Sequence, residues 1–293
     1  MKTKLTLFLL LINQVLMAQD TIPFVLTDAN NISIQSILNE TDTLNLMFHT
    51  AAGDVALTET TTARLKSLKA SGTDTVKSWG GESTARYSKG NNLRIGSFTQ
   101  SNLTIWEGKR SGPGTDGKFG PNFFEGKVIE VNFDESVLVL HDTLPKTAAN
   151  YEKHDLIIQD GLMFLKIVSK IEKATYSNDF LIHSGYSGTI LYDDGFSNKH
   201  KLGEQLTIVS ESELRDSYGN VIKTKKAILP ELAVGAIRFQ DIPVGFFEGT
   251  IGRQRMSVMG GNIIKRFNII FDFEHTHIYL KENSLMVLPF SKS

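Results

Sequence analysis

Residues 258–272 read VMGGNIIKRFNIIFD, and this stretch decides the fold because its order of features occurs twice in the chain. An apolar residue precedes a glycine, a short apolar turn of helix follows, and a strand then runs into an acidic bend. Residues 117–134, GKFGPNFFEGKVIEVNFD, have the same order. A further strand is predicted after each copy, at 137–140 and at 277–280. A repeat of this kind indicates a duplicated structural unit.

A second pair of segments lies upstream at a similar distance in each half. Residues 48–53 read FHTAAG and residues 182–188 read IHSGYSG: an apolar strand, a polar residue, a hydroxyl residue, then small residues. His49 precedes Gly120 by 71 residues (120 − 49), and His183 precedes Gly260 by 77 (260 − 183). The spacing predicts one lobe per half, an N-terminal lobe at 19–148 and a C-terminal lobe at 149–293, with a polar boundary near 145–153.

With these features the chain resembles the pepsin/retropepsin superfamily of aspartic peptidases, and within it the aspartic-peptidase-like proteins of Bacteroidetes bacteria. Residues 258–272 are similar to the pattern Ile-Leu-Gly-Asp-x-Phe-Leu-Arg-x-Tyr-x-x-x-Phe-Asp of pepsin-like enzymes. The resemblance implies an all-β fold, a two-lobed double β-barrel with a few short helices. Short alternating apolar segments between Asn and Asp turns also favour strands. One helix is predicted over 59–69, with Thr58 as its N-cap.

The resemblance also implies a site. By motif matching, His49 and His183 occupy the positions of the two catalytic aspartates of the family. Thr50 and Ser184 match the hydroxyl residues that brace the two loops across the lobe interface, and Gly185 matches the loop glycine. These three residues are therefore expected to border the bound substrate.

Two further positions bear on this site. Trp79 and Gly80 resemble the aromatic-glycine tip of the hairpin that covers the cleft in pepsin-like enzymes. Trp79 lies thirty residues after His49 (79 − 49). The alternative is that the two residues form a surface turn. Ala51 departs from the pattern, because the family has glycine in the first loop as well. A Cβ is tolerable there only if that residue keeps a negative φ.

The replacement of both aspartates changes the chemistry that the site can perform. Two facing carboxyls share one proton, since like charges at close range cannot both ionise. A neutral imidazole offers one donor and one acceptor instead. Two imidazoles could divide the roles of acid and base, but burial disfavours the charged ring that would act as the acid.

Two other interpretations of His49 and His183 remain open. With a carboxylate such as Asp54, Asp193 or Asp194 they could form a three-ligand metal site, although no spacing is diagnostic. Alternatively, the two rings hydrogen-bond each other or a water and are structural. The remaining histidines at 141, 154 and 200 are predicted on the surface, and His275 and His277 at a solvated turn.

Composition and the first residues bear on location and partners. Residues 1–18 combine a basic start, a short apolar run and a small residue, as in a secretory signal peptide. The chain contains no cysteine, which excludes disulfides and a lipid-anchored cysteine. Removing Lys2 and Lys4 takes the net charge from −1 to −3 (−1 − 2), with no basic stripe for nucleic acid. We expect a periplasmic or extracellular monomer without a membrane span.

The function expected from the sequence is that of an exported aspartic-peptidase-like protein whose cleft binds a peptide or another extended ligand. Aspartic-type catalysis is not expected, because both reactive carboxyls are replaced. The alternative is an active peptidase or hydrolase that uses the pair His49 and His183, or a metal held by it. Apart from that metal, no cofactor is implied.

Overall fold

A computed structural model describes residues 20–78, 81–215, 221–247 and 254–290. The predicted signal peptide and the pair Trp79–Gly80 lie outside the described residues. More than half of the residues lie in strands, in agreement with the predicted all-β fold. No helix among the described residues is long and apolar enough to span a membrane.

Regular elements follow one another at short intervals along the chain. The described residues of the first half contain β1 (Asp20–Leu26), β2 (Ile32–Leu38), β3 (Asp42–Phe48), β4 (Val55–Thr58), α1 (Glu59–Arg64), β5 (Gly72–Ser78), β6 (Gly81–Ile95), β7 (Phe98–Gly108), β8 (Gly117–Phe119), the 3-10 helix η1 (Pro121–Phe124), β9 (Val128–Asn132) and β10 (Val137–His141).

The second half begins with a 3-10 helix that contains the predicted lobe boundary. Its described elements are η2 (Lys146–Asn150), β11 (Glu152–Asp155), β12 (Ile157–Gln159), β13 (Leu162–Ile171), β14 (Ala174–His183), β15 (Ile190–Leu191), α2 (Asp194–Lys199), α3 (Leu202–Gln205), β16 (Ile208–Arg215), β17 (Val221–Val234), β18 (Ile237–Phe246), β19 (Ser257–Gly260), α4 (Gly261–Ile264), β20 (Phe267–Asp272), β21 (His277–Glu282) and η3 (Ser284–Val287).

Each half forms a closed six-stranded barrel with the same strand order. In the first half the order is β2-β3-β8-β4-β7-β6, and pairing of β6 with β2 closes it. In the second half the order is β13-β14-β19-β15-β18-β17, and pairing of β17 with β13 closes it. The parallel pair β3–β8 corresponds to the parallel pair β14–β19. The internal repeat of the sequence is therefore a repeat of topology.

A third sheet joins the two barrels. Its order is β11-β21-β20-β9-β10-β1, and the central pair β20–β9 is antiparallel, with Ile270 opposite Glu130. The two hairpins β9–β10 and β20–β21 are those predicted after the two glycine segments. All six residues of β20 are buried, because the strand lies within this sheet and against the core. The last part of the segment that decides the fold, β20, thus lies at the centre of this joining sheet, whereas its first part belongs to β19 of the second barrel.

Alternating burial explains why the barrel strands form. In β2, the residues Ile32, Ile34 and Leu38 point into the barrel and are almost fully buried, whereas Gln35 between them is exposed. This period of two matches the pleat of a strand with one face on the core. Phe48, Phe119 and the adjacent Phe124 fill the first barrel beside the histidine loop.

Two sequence-based expectations need correction. Helix α1 begins after Thr58, whose side chain accepts a hydrogen bond from Thr61 N, as predicted, but it ends at Arg64 and not at residue 69. His141, predicted on the surface, is buried at the end of β10, where its Nε2 lies 2.8 Å from Glu130 Oε2. A buried carboxylate on the neighbouring strand provides the partner that a buried imidazole needs. His154 and His200 are half-buried rather than exposed.

Candidate active site

The two histidine loops begin at the ends of equivalent strands. β3 ends at Phe48 and β14 ends at His183, each beside the short strand that leads to a repeated glycine. Backbone N–H of His49 donates to Phe119 O at 2.9 Å, which fixes the first loop to its barrel. The imidazole rings of His49 and His183 meet with their centroids 4.5 Å apart and their planes at 66°. The structure thus brings the two predicted site residues into contact.

Thr50 and Ser184 connect the two loops by reciprocal hydrogen bonds. Thr50 Oγ1 donates to Ile182 O at 2.6 Å and accepts from Ser184 N at 3.0 Å. Ser184 Oγ donates to Phe48 O at 2.7 Å and accepts from Thr50 N at 3.0 Å. Both side chains are buried, and each hydroxyl uses its donor within the brace. Neither residue lines the cleft, so the geometry gives them a bracing position rather than contact with a ligand.

A turn of the first half also holds the second loop. Asn31 is 1% exposed, and its Nδ2 donates to Ser184 O at 2.8 Å. Asn30 Nδ2 donates to Ser187 O at 2.8 Å, while Lys265 Nζ donates to Asn30 Oδ1 at 2.9 Å. Sequence reasoning missed these residues, because two adjacent asparagines signal only a turn, and the contacts join residues 153, 157 and 235 positions apart.

The pair of rings is not symmetric. A Cβ on Gly185 would overlap the His49 ring at Nε2 and Cδ2, so the absent side chain leaves the space that this ring occupies. Ala51 stands at the corresponding place in the first loop, and its backbone N–H donates to His49 Nδ1 at 3.2 Å. His183 Nδ1 is buried and has no hydrogen-bond partner among the described residues. The two loops therefore differ in two respects: the first has Ala51 where the second has Gly185, and His49 Nδ1 has a hydrogen-bond donor whereas His183 Nδ1 has none among the described residues.

The surroundings keep both rings uncharged. Burial lowers the pKa of His49 well below the ordinary value for histidine, and the neighbouring His183 and Lys118 lower it further. Burial, reinforced by the Lys118 charge, lowers the pKa of His183 to about 4. Because His49 Nδ1 accepts a hydrogen bond, the proton of its neutral ring lies on Nε2.

The metal interpretation finds no third ligand among the described residues. Within the described part of the chain no group of three histidine or acidic side chains could hold a metal ion. Asp193 caps α2 by accepting from Phe196 N at 2.7 Å, and it also accepts from Ser257 Oγ at 2.7 Å. Asp54 borders the cleft as an exposed side chain. Two imidazoles alone do not make the three-ligand site of a zinc hydrolase.

Comparison with known proteins identifies the fold. No protein-family model matches the sequence, and the search of curated proteins found no match to it. Among solved structures, the chain is similar to the aspartic proteinase from Irpex lacteus, with a TM-score of 0.59 over 94% of this chain and 100% of that chain. The chain has the pepsin-like fold. Sequence identity to that proteinase is 14%, so the similarity establishes the fold and not the activity.

The pepsin-like fold places the two histidines on a cleft of about 1000 Å³. Residues of both halves line it, and Asp74, Thr75 and Val76 of β5 contribute one side. β5 is an edge strand that pairs with β6 from Gly72–Tyr87 to Ser78–Gly81. Trp79 and Gly80 lie outside the described residues, and their predicted role at the cleft stays a prediction.

Proposed function

We propose that this protein is an aspartic-peptidase-like protein that binds a peptide or another extended ligand in the cleft and lacks aspartic-type catalysis. In this proposal His49 and His183 stand where the family has its two aspartates. The observation that carries it is the contact between two buried imidazoles, 4.5 Å apart, at the meeting point of the two repeated loops.

Catalysis by an aspartic dyad needs one ionised and one protonated carboxyl at the same place. Neither histidine supplies the acid near neutral pH, because burial lowers the pKa of both rings. His49 is also a poor base, since the lone pair on its Nδ1 receives the Ala51 N–H. That leaves one nitrogen of His183 for a reaction that requires two cooperating groups.

The cleft is nevertheless suited to an extended chain. Edge strand β5 has one side free of pairing with any other described strand, and three of its residues line the cleft. A peptide can add to such an edge through backbone hydrogen bonds, while pockets along the cleft select its side chains. The lobes, the brace and the edge strand therefore support binding even without the reactive carboxyls.

The deciding experiment is incubation of the purified mature protein with a peptide library at pH 4 and at pH 7, with and without a chelator. Mass spectrometry would follow cleavage, and affinity selection would follow binding. We expect bound peptides and no cleavage. Cleavage that His49→Ala or His183→Ala abolishes would contradict the proposal and favour an active hydrolase. Loss of that cleavage on chelation would assign it to a metal.

We also propose that the protein is exported and acts as a monomer in the periplasm or outside the cell. The support for export is the basic start and apolar run of residues 1–18. N-terminal sequencing of the protein from its native host should find a chain that begins at or close to Gln19. A chain that begins at Met1 would contradict export through this segment.

A further inference from the structure

The second histidine loop places a tyrosine in the cleft where the first loop has an alanine. Tyr186 N donates to His183 O at 3.0 Å. Ala52 N donates to His49 O at 3.0 Å, which puts the two residues at equivalent points of their turns. Both residues line the cleft. A phenol therefore stands on the second half of the cleft wall, opposite a methyl group on the first half.

The backbone and the ring of Tyr186 are both held in place. Its carbonyl accepts from Gly261 N at 2.7 Å. The ring lies against three glycines: a Cβ on Gly260 would lie 2.5 Å from Cδ1, a Cβ on Gly188 2.5 Å from the hydroxyl oxygen, and a Cβ on Gly245 3.6 Å from that oxygen. The ring also packs on the apolar cluster at this side of the cleft. A ring held in this way presents its hydroxyl in a fixed position, which reduces the entropy lost when a ligand binds.

The hydroxyl of Tyr186 is available to a ligand. It has no hydrogen-bond partner among the described residues, its oxygen is not fully enclosed, and the residue is half-buried. Burial raises the pKa of the Tyr186 phenol to about 12, so the group keeps its proton near neutral pH. The fully buried Tyr192 differs, because its hydroxyl lies 2.6 Å from Ser169 Oγ. Tyr186 can therefore donate one hydrogen bond that no described residue uses.

A ligand that fills the cleft removes water from this hydroxyl. A hydroxyl that loses water and gains no partner weakens binding, so the ligand must supply a partner. A phenol donates better than it accepts, because the lone pair of its oxygen is delocalised into the ring. An extended peptide carries a carbonyl oxygen on every residue, and this acceptor is present whatever the peptide sequence.

We propose that the hydroxyl of Tyr186 donates a hydrogen bond to a backbone carbonyl oxygen of the extended ligand and so fixes the register of the ligand beside His183. The contact belongs to the second half alone, since the side chain of Ala52 has no donor. This inference rests on the proposed function, because it names a contact by which the same cleft holds its ligand.

The test compares Tyr186→Phe with the unchanged protein. Affinity selection from a library of blocked octapeptides provides the peptides, and fluorescence anisotropy measures their binding to both proteins. Tyr186→Phe keeps the ring and removes only the oxygen, and it should weaken binding about 3- to 10-fold, the range of one neutral hydrogen bond. Tyr176→Phe is the matched control, because Tyr176 is half-buried and lies outside the cleft, and it should change nothing.

A thioamide scan along the best peptide identifies the group that Tyr186 contacts. Sulfur accepts hydrogen bonds more weakly than oxygen. A thioamide at the contacted carbonyl should therefore reduce the affinity for the unchanged protein but not for Tyr186→Phe. Thioamides at the other positions should act equally on the two proteins.

The outcomes separate this inference from the proposed function. Equal affinities of Tyr186→Phe and the unchanged protein would overturn the contact and leave peptide binding intact. A loss of affinity in Tyr186→Phe with no thioamide position that depends on Tyr186 would overturn the carbonyl as its partner. Failure to select any peptide from the library would overturn both. Thermal unfolding of each variant checks the fold, and Tyr186→Leu provides the reading if Tyr186→Phe unfolds.

Discussion

Thr50 and Ser184, 134 residues apart, accept hydrogen bonds from each other's backbone amides at 3.0 Å. This exchange joins the two barrels at the point where the histidines meet. It depends on a hydroxyl following each histidine, because only a side chain with both a donor and an acceptor can bind the opposite loop twice. The brace fixes the geometry of the site without taking part in its chemistry.

Removing one hydroxyl should therefore destabilise the protein. Thr50→Val leaves the Ser184 amide buried without its acceptor, and Ser184→Ala does the same to the Thr50 amide. We expect each variant to lower the free energy of unfolding by about 1–3 kcal/mol, measured in urea. Thr99→Val, at an exposed strand position, should have almost no effect. Strictly additive losses in the double variant would contradict a reciprocal brace, since coupled partners show interaction energies.

Gly185 should tolerate no side chain while His49 is present. A Cβ there would overlap the His49 ring, and the ring is packed too tightly to move without cost. We expect Gly185→Ala to cost about 1–3 kcal/mol in urea unfolding. In the His49→Ala background the same change should cost much less.

The matched control for this change is Gly53→Ala. It lies four residues after His49, and a Cβ there meets nothing within 4 Å. An equal loss at both glycines, or an unchanged cost of Gly185→Ala without His49, would show that the imidazole does not occupy this space.

Stability should fall on acidification between about pH 6.5 and pH 4. The pKa of each central histidine is lower in the folded protein than in the unfolded chain, so the unfolded state binds more protons in this range. The stabilising effect is complete above the unfolded pKa and is lost as pH falls toward the folded value. For His183, with a pKa of about 4, the loss is on the order of 2–3 kcal/mol.

Urea unfolding at several pH values would measure this slope. His183→Asn should flatten it between pH 6.5 and pH 4. His275→Asn is the control. Asp272 raises the pKa of His275, so the contribution of His275 to stability changes with pH only above about pH 6.5. An unchanged slope in His183→Asn would mean that the ring accepts a proton in the folded protein as readily as in the unfolded chain.

Asn31 should contribute more to the stability of the fold than its place in a turn implies. Its amide donates to Ser184 O across the two halves, and Oδ1 is buried without a partner among the described residues. Asn31→Asp replaces the donor with an acceptor that faces a carbonyl, which we expect to cost about 1–3 kcal/mol. Asn92→Asp, at an exposed position, should change the urea midpoint little. Equal effects of the two changes would remove Asn31 from the support of the loop.

The sequence predicted the parts of this structure that depend on local pattern and on the repeat. The two glycine segments, the two hairpins and the double barrel follow from features that occur twice. The predicted length of α1 was wrong because the backbone is already extended at Leu65, directly after Arg64. Burial of His141 was missed because its partner Glu130 lies on another strand, and no spacing rule links the two.

In the candidate site, too, the sequence predicted the repeated features but not the contacts between distant residues. The meeting of His49 and His183 could be expected from the resemblance, since the loops are repeated. The orientation of the rings could not, because it depends on which loop carries glycine and on the amide of Ala51. Lys118 gave no signal in the sequence, as a single lysine on a short strand acquires meaning only from its position beside the cleft.

The central claim is that two uncharged imidazoles take the place of an acid pair. The direct test is NMR titration of the histidine side chains, with His49 and His183 assigned through single Asn variants. We predict that His183 titrates with a pKa of about 4 and that the pKa of His49 lies well below the ordinary value for histidine. A pKa near 6.5 or above for either ring would place a charged imidazole in the cleft near neutral pH and contradict the account.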